Sequence, residues 1–463
     1  MNVHRPAATA APVGPANFAQ ESLNCIRCGF CLPTCPTYIE TGKESASPRG
    51  RIALVKAAAD GLLPLTDIQE QLDLCLGCLN CVTVCPAGVQ YGHLLEDARE
   101  ALAETRPRTW LEKAAFDWVL PRPGMMRLMG ALLWFYQASG LRALAHKTGL
   151  IKVLPPHLAE MDRVLPRVPP PWRRRHPRVT PAAGEDAGDR GPRVAFFTGC
   201  VMDVLFWEAN RDSIQLLADA GCTVTVVPEQ GCCGALHAHA GHKEQARELA
   251  RRNIAAFEAG QFDYIVNSIG GCGAALKDYA RWLADDPAWH GRAQTFVAKV
   301  RDLSELLAEL GYEPPAWVRE PARAQDEAAA APAPPRVTMQ PSCHLYHGQG
   351  VRTAPADLIR RTGVEYCEMA QAERCCGSAG IYNLTQPDMA GKVLERKMQH
   401  AKATGAQVIV TTNPGCQLQM RLGVERAGLA GQVEVLHVAE FLARGLPRRD
   451  ASRDKGSIGT KGA

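Results

Sequence analysis

The chain has 463 residues, enough for two or three domains, and its 52 Lys and Arg against 48 Asp and Glu leave a formal net charge of +4. So even a balance excludes nucleic-acid recognition by bulk charge, and 46% hydrophobic residues allow sizeable buried cores. The 18 cysteines are grouped like metal ligands in a large chain, not like the disulfide framework of a small secreted domain, which points to a reducing, cytoplasmic compartment.

Residues 1–20, rich in Ala and Pro, are expected to be a flexible leader without the charged-then-apolar order of a signal peptide. Residues 21–105 carry Cys25-Ile-Arg-Cys28-Gly-Phe-Cys31-Leu-Pro-Thr-Cys35-Pro36 and, fifty residues on, Cys75-Leu-Gly-Cys78-Leu-Asn-Cys81-Val-Thr-Val-Cys85-Pro86. Both copies follow the C-x2-C-x2-C-x3-C-P spacing of bacterial two-cluster ferredoxins, in which the fourth cysteine serves the other cluster. That spacing predicts one [4Fe-4S] cluster on Cys25, Cys28, Cys31 and Cys85, and a second on Cys75, Cys78, Cys81 and Cys35. Structural zinc sites also use C-x2-C pairs, but zinc has no use for a third cysteine at the next x2 step and a fourth at x3. Between the motifs, Ser47 is a candidate N-cap with Pro48 at the first helical position. Arg49 and Arg51 either face the anionic clusters or form a solvated helix start. Leu94 to Glu104 reads as a helix, so this unit is expected to be helix and loop.

Residues 106–165 read as a helical connector with an aromatic patch at Trp134, Phe135 and Tyr136 beside Arg127, Arg142 and Lys147. Core burial is the commoner meaning of such a stripe; a membrane surface or a partner subunit is the other. The apolar run from Leu128 to Tyr136 falls short of the ~20 residues that span a bilayer. Residues 166–193 form a Pro/Arg-rich linker whose Trp172-Arg-Arg-Arg175 run is read as solvated.

The remainder is duplicated. Residues 194–319 contain Cys200, then Cys232-Cys233-Gly234, then Cys272; residues 336–445 contain Cys343, then Cys375-Cys376-Gly377, then Cys416, at offsets of 143, 143 and 144. An Ala/Pro linker (320–335) separates the repeats and a flexible tail (446–463) follows. In each repeat the first and last cysteine follow a short β-branched run, with helical pattern between, which predicts α/β units whose cysteines gather at the carboxyl ends of parallel strands. The fold class is therefore α+β with α/β character: an N-terminal helical two-[4Fe-4S] ferredoxin-like domain, then two duplicated α/β Cys-Cys-Gly units. Adjacent cysteines suit a cluster better than one tetrahedral metal, so Cys200, Cys232, Cys233, Cys272, Cys343, Cys375, Cys376 and Cys416 are candidate further ligands, against a disused fold that only docks a partner. Cys222 and Cys367 lie outside this frame and are expected to be ordinary buried thiols. His237, His239, His344 and His347 are read as uninvolved residues of polar loops. No G-x-G-x-x-G or phosphate loop follows a predicted strand.

Paired ferredoxin motifs followed by two Cys-Cys-Gly repeats, with Ser47-Pro-Arg-Gly-Arg51 and Asn413-Pro-Gly-Cys416, resemble the iron–sulfur subunits of the glycolate oxidase (glycolate dehydrogenase) family. The wider group includes heterodisulfide reductase and anaerobic glycerol-3-phosphate dehydrogenase subunits. The resemblance implies an electron-transfer subunit, not catalytic alone, in a complex whose flavin-containing subunits oxidise glycolate to glyoxylate and whose electrons pass to a quinone or other membrane acceptor. FAD belongs to those partners, and the location implied is the inner face of the cytoplasmic membrane. The fuller pattern ends each repeat in C-x-x-C; here Gly273-Ala274-Ala275 follows Cys272, and Gln417-Leu418-Gln419 follows Cys416. This weakens the alternative of a heterodisulfide-reductase-like thiol/disulfide reductase, while an iron–sulfur subunit for lactate or glycerol 3-phosphate remains open.

Overall fold

Two proline-led turns start the N-terminal unit: α1 (Pro36–Thr41) and α2 (Pro48–Ala59) each take Pro in the first turn, where its missing N–H costs nothing. Ser47 caps α2, its Oγ accepting from the Gly50 N–H at 3.0 Å, a contact worth about 1 kcal/mol. Helix α3 (Tyr91–Thr105) turns Leu94, Leu95, Ala98 and Leu102 onto Val55, Ile68 and Leu72 to close a small core. The computed structural model describes residues 21–183, 191–317 and 334–447. The expected leader, most of the Ala/Pro connector, residues 184–190 of the Pro/Arg-rich linker and the tail from 448 lie outside the described residues.

The connector is a chain of short helices, among them α4 (Pro123–Ala138), α5 (Leu141–Thr148) and α6 (Pro156–Val164). Of the sixteen residues of α4 only Gly130 is buried, because there the helix backbone presses on Val204 and Arg174. The core reading of the aromatic patch is corrected accordingly. Trp134 stacks edge-on against Trp172, but Phe135 stands 55% exposed. The linker after it is not wholly irregular either: β1 (Val179–Thr180) pairs antiparallel with Val224 and Thr225 at the edge of the first repeat's sheet.

Each repeat is built on parallel strands with helices on the faces of the sheet, and only the edge strand β1 in the first runs antiparallel. The first holds β2 (Arg193–Phe196), α7 (Trp207–Asp219), β3 (Thr223–Val226), α8 (Lys243–Glu258), β4 (Tyr264–Asn267), α9 (Gly270–Trp282) and β5 (Val300–Asp302). Its order is β1-β3-β2-β4-β5, with Val194 paired to both Val224 and Tyr264. The second holds β6 (Arg336–Gln340), β7 (Glu365–Tyr366), α10 (Pro387–Ala403), β8 (Val408–Thr411), α11 (Pro414–Arg426) and β9 (Glu434–His437), in the order β7-β6-β8-β9 and parallel throughout. One shared core brings Val194, Phe196 and Val266 of the first sheet together with Val337 and Val410 of the second and Phe441 of the helix that follows β9. The fold is thus a helical cysteine-rich unit followed by two α/β units. Among the described residues no helix is long and apolar enough to cross a membrane.

Candidate iron–sulfur sites

Two left-handed residues curl each ferredoxin-type loop inward: Arg27 (φ 57°) and Gly29 (φ 89°) in the first, Gly77 (φ 62°) and Leu79 (φ 63°) in the second. One of each pair is glycine, and the other carries a backbone cost of about 1 kcal/mol or more. The loops enclose two cavities. The first, about 420 Å³ counting its open mouth, is lined by Cys25, Cys28, Cys31, Cys81 and Cys85. The second, about 320 Å³, is lined by Cys35, Cys75, Cys78 and Cys81. The last cysteine of each motif therefore lines the cavity of the other. Neither lining includes a carboxylate or an imidazole, and all-thiol donors placed around a space of this size fit a multi-iron cluster.

Charge is supplied from α2. Arg51 is fully buried, its Nε donating to the Gln71 carbonyl at 2.6 Å and its Nη2 to Thr37 Oγ1 at 3.0 Å. Burial pushes the Cys75 thiol up, but the Arg51 and Arg99 cations outweigh it and hold that thiol below its ordinary range. Burial drives Cys78 and Cys81 well above theirs. The solvated reading thus fails for Arg51, because its guanidinium is the buried counter-charge of the second cavity. Arg49 lines the first cavity, pairs with Glu44 at 2.6 Å and donates to the Arg27 carbonyl, which pins the first loop.

In each repeat the strand ends deliver the outer cysteines, and the Cys-Cys-Gly turn brings two more against them. Gly234 (φ +83°) and Gly377 (φ +92°) must be glycine: a Cβ would lie 3.3 Å from the Ala246 backbone in one and 2.6 Å from the Ala390 carbonyl in the other. Their N–H groups point at Cys232 Sγ (3.5 Å) and Cys375 Sγ (3.4 Å). The sulfurs touch in sequence, Cys200 to Cys232 to Cys233 to Cys272, the last step at 3.2 Å. Cys343, Cys375, Cys376 and Cys416 form the same chain. All eight candidate cysteines of the repeats therefore fall into two quartets.

The quartets differ in what surrounds them. In the first, Asn253 of α8 accepts from the Gly231 N–H and donates to the Cys232 carbonyl and to Tyr279 Oη, whose own hydroxyl donates to the Cys233 carbonyl. In the second, α10 puts Lys397 at the matching position, 2% exposed, its Nζ donating to the Gln371 and Ala372 carbonyls at 2.8 and 3.1 Å. Burial lowers this amine to about 8, and it faces Cys375, Cys376 and Cys416. Hydrogen bonds from Cys375 and Cys416, helped by the Lys397 charge, hold Cys376 well below the usual thiol range. Neighbouring sulfurs, and after them burial, hold Cys200 and Cys233 well above it. The sequence reading missed Lys397, although laying one repeat on the other puts this lysine on an apolar helix face opposite an asparagine.

The second quartet adjoins the second cavity: Cys78 and Cys343 interact electrostatically and share an apolar cluster with Leu76, Cys375 and Tyr382. The four histidines correct the reading of uninvolved loops. His237 is buried and His344 half-buried, and their Nε2 atoms lie 2.8 Å from the Phe116 carbonyl and 3.0 Å from the Gly77 carbonyl. His239 meets Glu96, and His347 meets Thr83 Oγ1 at 2.8 Å and the Glu373 carbonyl at 3.1 Å. They bolt the repeats to the N-terminal unit and the connector, aided by the Glu96–Arg281 ion pair and by Tyr382, which donates to the Leu74 carbonyl. Cys222 is buried as expected, but Cys367 is only half-buried.

Three family descriptions match this chain: a 4Fe-4S dicluster domain over residues 21–89, the linker region of the glycolate oxidase iron–sulfur subunit over 107–165, and a cysteine-rich domain over 194–277 and 337–421. A Bacillus subtilis protein described as a probable glycolate oxidase iron–sulfur subunit is 46% identical over 91% of this chain and 93% of its own length. The glycolate oxidase iron–sulfur subunit of Escherichia coli is 32% identical over 92% and 94%. Lactate utilization protein A of an Exiguobacterium species is 28% identical but spans only 55% of this chain. A hypothetical protein from Helicobacter pylori shares the fold, with a TM-score of 0.50 at 9% identity, covering 95% of this chain and 74% of its own. The chain belongs to the family of glycolate oxidase iron–sulfur subunits, iron–sulfur proteins that act as electron-transfer components of a multi-subunit oxidoreductase.

Proposed function

We propose that this chain is a fixed electron relay between flavin-containing subunits that oxidise glycolate to glyoxylate and a quinone acceptor at the inner face of the cytoplasmic membrane. In this reading residues 21–105 hold one [4Fe-4S] cluster on Cys25, Cys28, Cys31 and Cys85 and another on Cys75, Cys78, Cys81 and Cys35. Residues 194–319 and 336–445 continue the relay through their cysteine quartets, and 106–165 joins the two parts. The observation that carries the reading is the contiguity of the sulfur sets: two cavities share the Cys81 wall, and the second abuts Cys343 of a further quartet.

Bound clusters would supply one-electron redox steps at potentials tuned by hydrogen bonds and exposure. The residues of the chain set those conditions. Arg51 and Arg99 place positive charge beside Cys75, and the Gly77 N–H and Tyr91 hydroxyl point at its sulfur at 3.4 and 3.6 Å. Cys28 and the neighbouring Ile26 and Phe30 are exposed, so a partner's redox group can approach the first cavity there. The test is anaerobic mixing of the reconstituted chain with its flavin subunits and glycolate. Bleaching of cluster absorbance only when all components are present supports the relay. Turnover of glycolate, or of a disulfide, by the isolated chain contradicts it. Bleaching by lactate and not glycolate would move the chain to the sister activity suggested by the lactate-utilization relatives.

A further inference from the structure

Thirteen of the twenty exposed large hydrophobic side chains among the described residues fall between residues 110 and 172. On α4 they recur at Leu128, Leu132 and Phe135, the i, i+4, i+7 spacing of one helix face, each about half exposed. Beyond α5, a 3-10 turn between Gly149 and Pro155 lifts Leu150 (65% exposed) and Val153 (81% exposed) into solvent. A soluble surface rarely carries so much apolar area without something to cover it.

The charge around these side chains says what covers them. Residues 106–178 hold 14 Lys and Arg against four Asp and Glu, an excess of ten in a chain whose whole net charge is +4. All four acids are engaged: Glu112 with Arg106, Asp117 with Arg108, Asp162 with Arg142 and Glu160 with Arg426. Among the described residues no carboxylate pairs with Arg122, Arg127, Lys147 or Lys152, which flank the apolar face. Large apolar side chains at a tip flanked by unpaired cations match the apolar boundary and anionic headgroups of a phospholipid surface.

We infer that α4, α5 and the Leu150–Val153 turn form a monotopic docking face for anionic phospholipid, an inference that rests on the membrane location proposed above. The opposite side of α4 leans, through Gly130, on Val204, in the short helix Val201–Leu205 that directly follows Cys200. Docking by this face therefore places α4 between the bilayer and the Cys200 end of the first repeat's quartet.

The test is co-sedimentation of the full, anaerobically reconstituted chain with vesicles of phosphatidylglycerol and phosphatidylethanolamine or of phosphatidylcholine alone. Wild type is expected to bind the anionic vesicles and to be released by salt. Leu150→Ser with Val153→Ser should weaken binding at least about tenfold, the loss expected from two buried aliphatic side chains. Lys147→Glu with Lys152→Glu should weaken it by a similar factor, with cluster spectra unchanged in both variants. Both pairs lie on the surface, so the spectra report folding independently of binding. If wild type binds and both variants bind equally well, this face is wrong while the membrane location stands. If neither the chain nor its complex with the flavin subunits binds vesicles, the location falls as well. Loss of flavin-subunit binding in the variants, with vesicle binding intact, would make the face a subunit interface and overturn the proposal.

Discussion

The two Cys-Cys-Gly units are copies in backbone and opposites in electrostatics. Both curl a left-handed glycine under the cysteine pair, and both bring the outer sulfurs from the ends of parallel strands. The first surrounds its quartet with neutral groups, Asn253 and Tyr279; the second buries an amine at the Asn253 position and has Gly423 where Tyr279 would stand. Duplication thus preserved the geometry that gathers sulfur while the charge around it diverged. The copy with the buried cation is also the one whose Cys343 adjoins the second ferredoxin-type cavity.

The largest effect is expected where the divergent residues are exchanged. Asn253→Lys would force a charge into a site whose hydrogen bonds are already taken, and should cost about 3 kcal/mol or more in anaerobic denaturant unfolding. A tolerated lysine would mean that the two environments are interchangeable.

The next effect comes from a matched pair of helix caps. Asp302 ends β5 and His437 ends β9, each caps the helix that follows, and each has Glu at N3. Burial raises the Asp302 carboxyl to about 6 and lowers the His437 imidazole to about 4. His437 Nδ1 accepts from the Ala439 N–H while Nε2 donates to the Ser268 carbonyl, an arrangement only the neutral ring supports. As pH falls from about 6.5 to 4, the unfolded chain takes up the proton at His437 that the folded chain refuses, so stability falls; at Asp302 the folded chain binds the proton first between about 6 and 4, so stability rises. Each contribution is about 3 kcal/mol, with opposite sign. Unfolding curves across this range should therefore slope toward acid stabilisation in His437→Asn and toward acid loss in Asp302→Asn, relative to wild type. Parallel slopes for the two variants would show that the caps are not buried as described.

A subtler difference lies in redox behaviour. Lys397→Met removes one positive charge beside the second quartet, so a centre held there should become harder to reduce. The shift should be on the order of 100 mV, as for a unit charge several ångströms away at an effective dielectric of about 20. Signals from the first repeat should stay unmoved in electron paramagnetic resonance titration, and a common shift in both would erase the distinction. Smallest of all, Tyr279→Phe removes the hydrogen bond to the Cys233 carbonyl and should cost about 1 kcal/mol of stability.

Where a cysteine repeats at fixed spacing, or a β-branched run precedes it, the sequence carried the structure plainly: Ser47 caps its helix, and each outer cysteine of the repeats follows a parallel strand. What was illegible depended on contacts distant in the chain. His344 reaches the Gly77 carbonyl across 267 residues, and no local pattern announces such a bond. Arg51 reads like any exposed helix start until the Gln71 carbonyl and Thr37 are seen to enclose it. Phe135 looked like core because apolar helical spacing is the same whether the facing surface is protein or lies outside the chain.

The central claim is that the two ferredoxin-type motifs exchange their last sulfur. Its most direct test is electron paramagnetic resonance of the dithionite-reduced, anaerobic chain carrying single serine substitutions. About eight irons should be held by the two N-terminal clusters, with more if the repeats are loaded. Cys85→Ser should disturb the same signal as Cys31→Ser, and Cys35→Ser the same signal as Cys78→Ser. Grouping of Cys35→Ser with Cys31→Ser, or a protein containing zinc and no iron, would contradict the account.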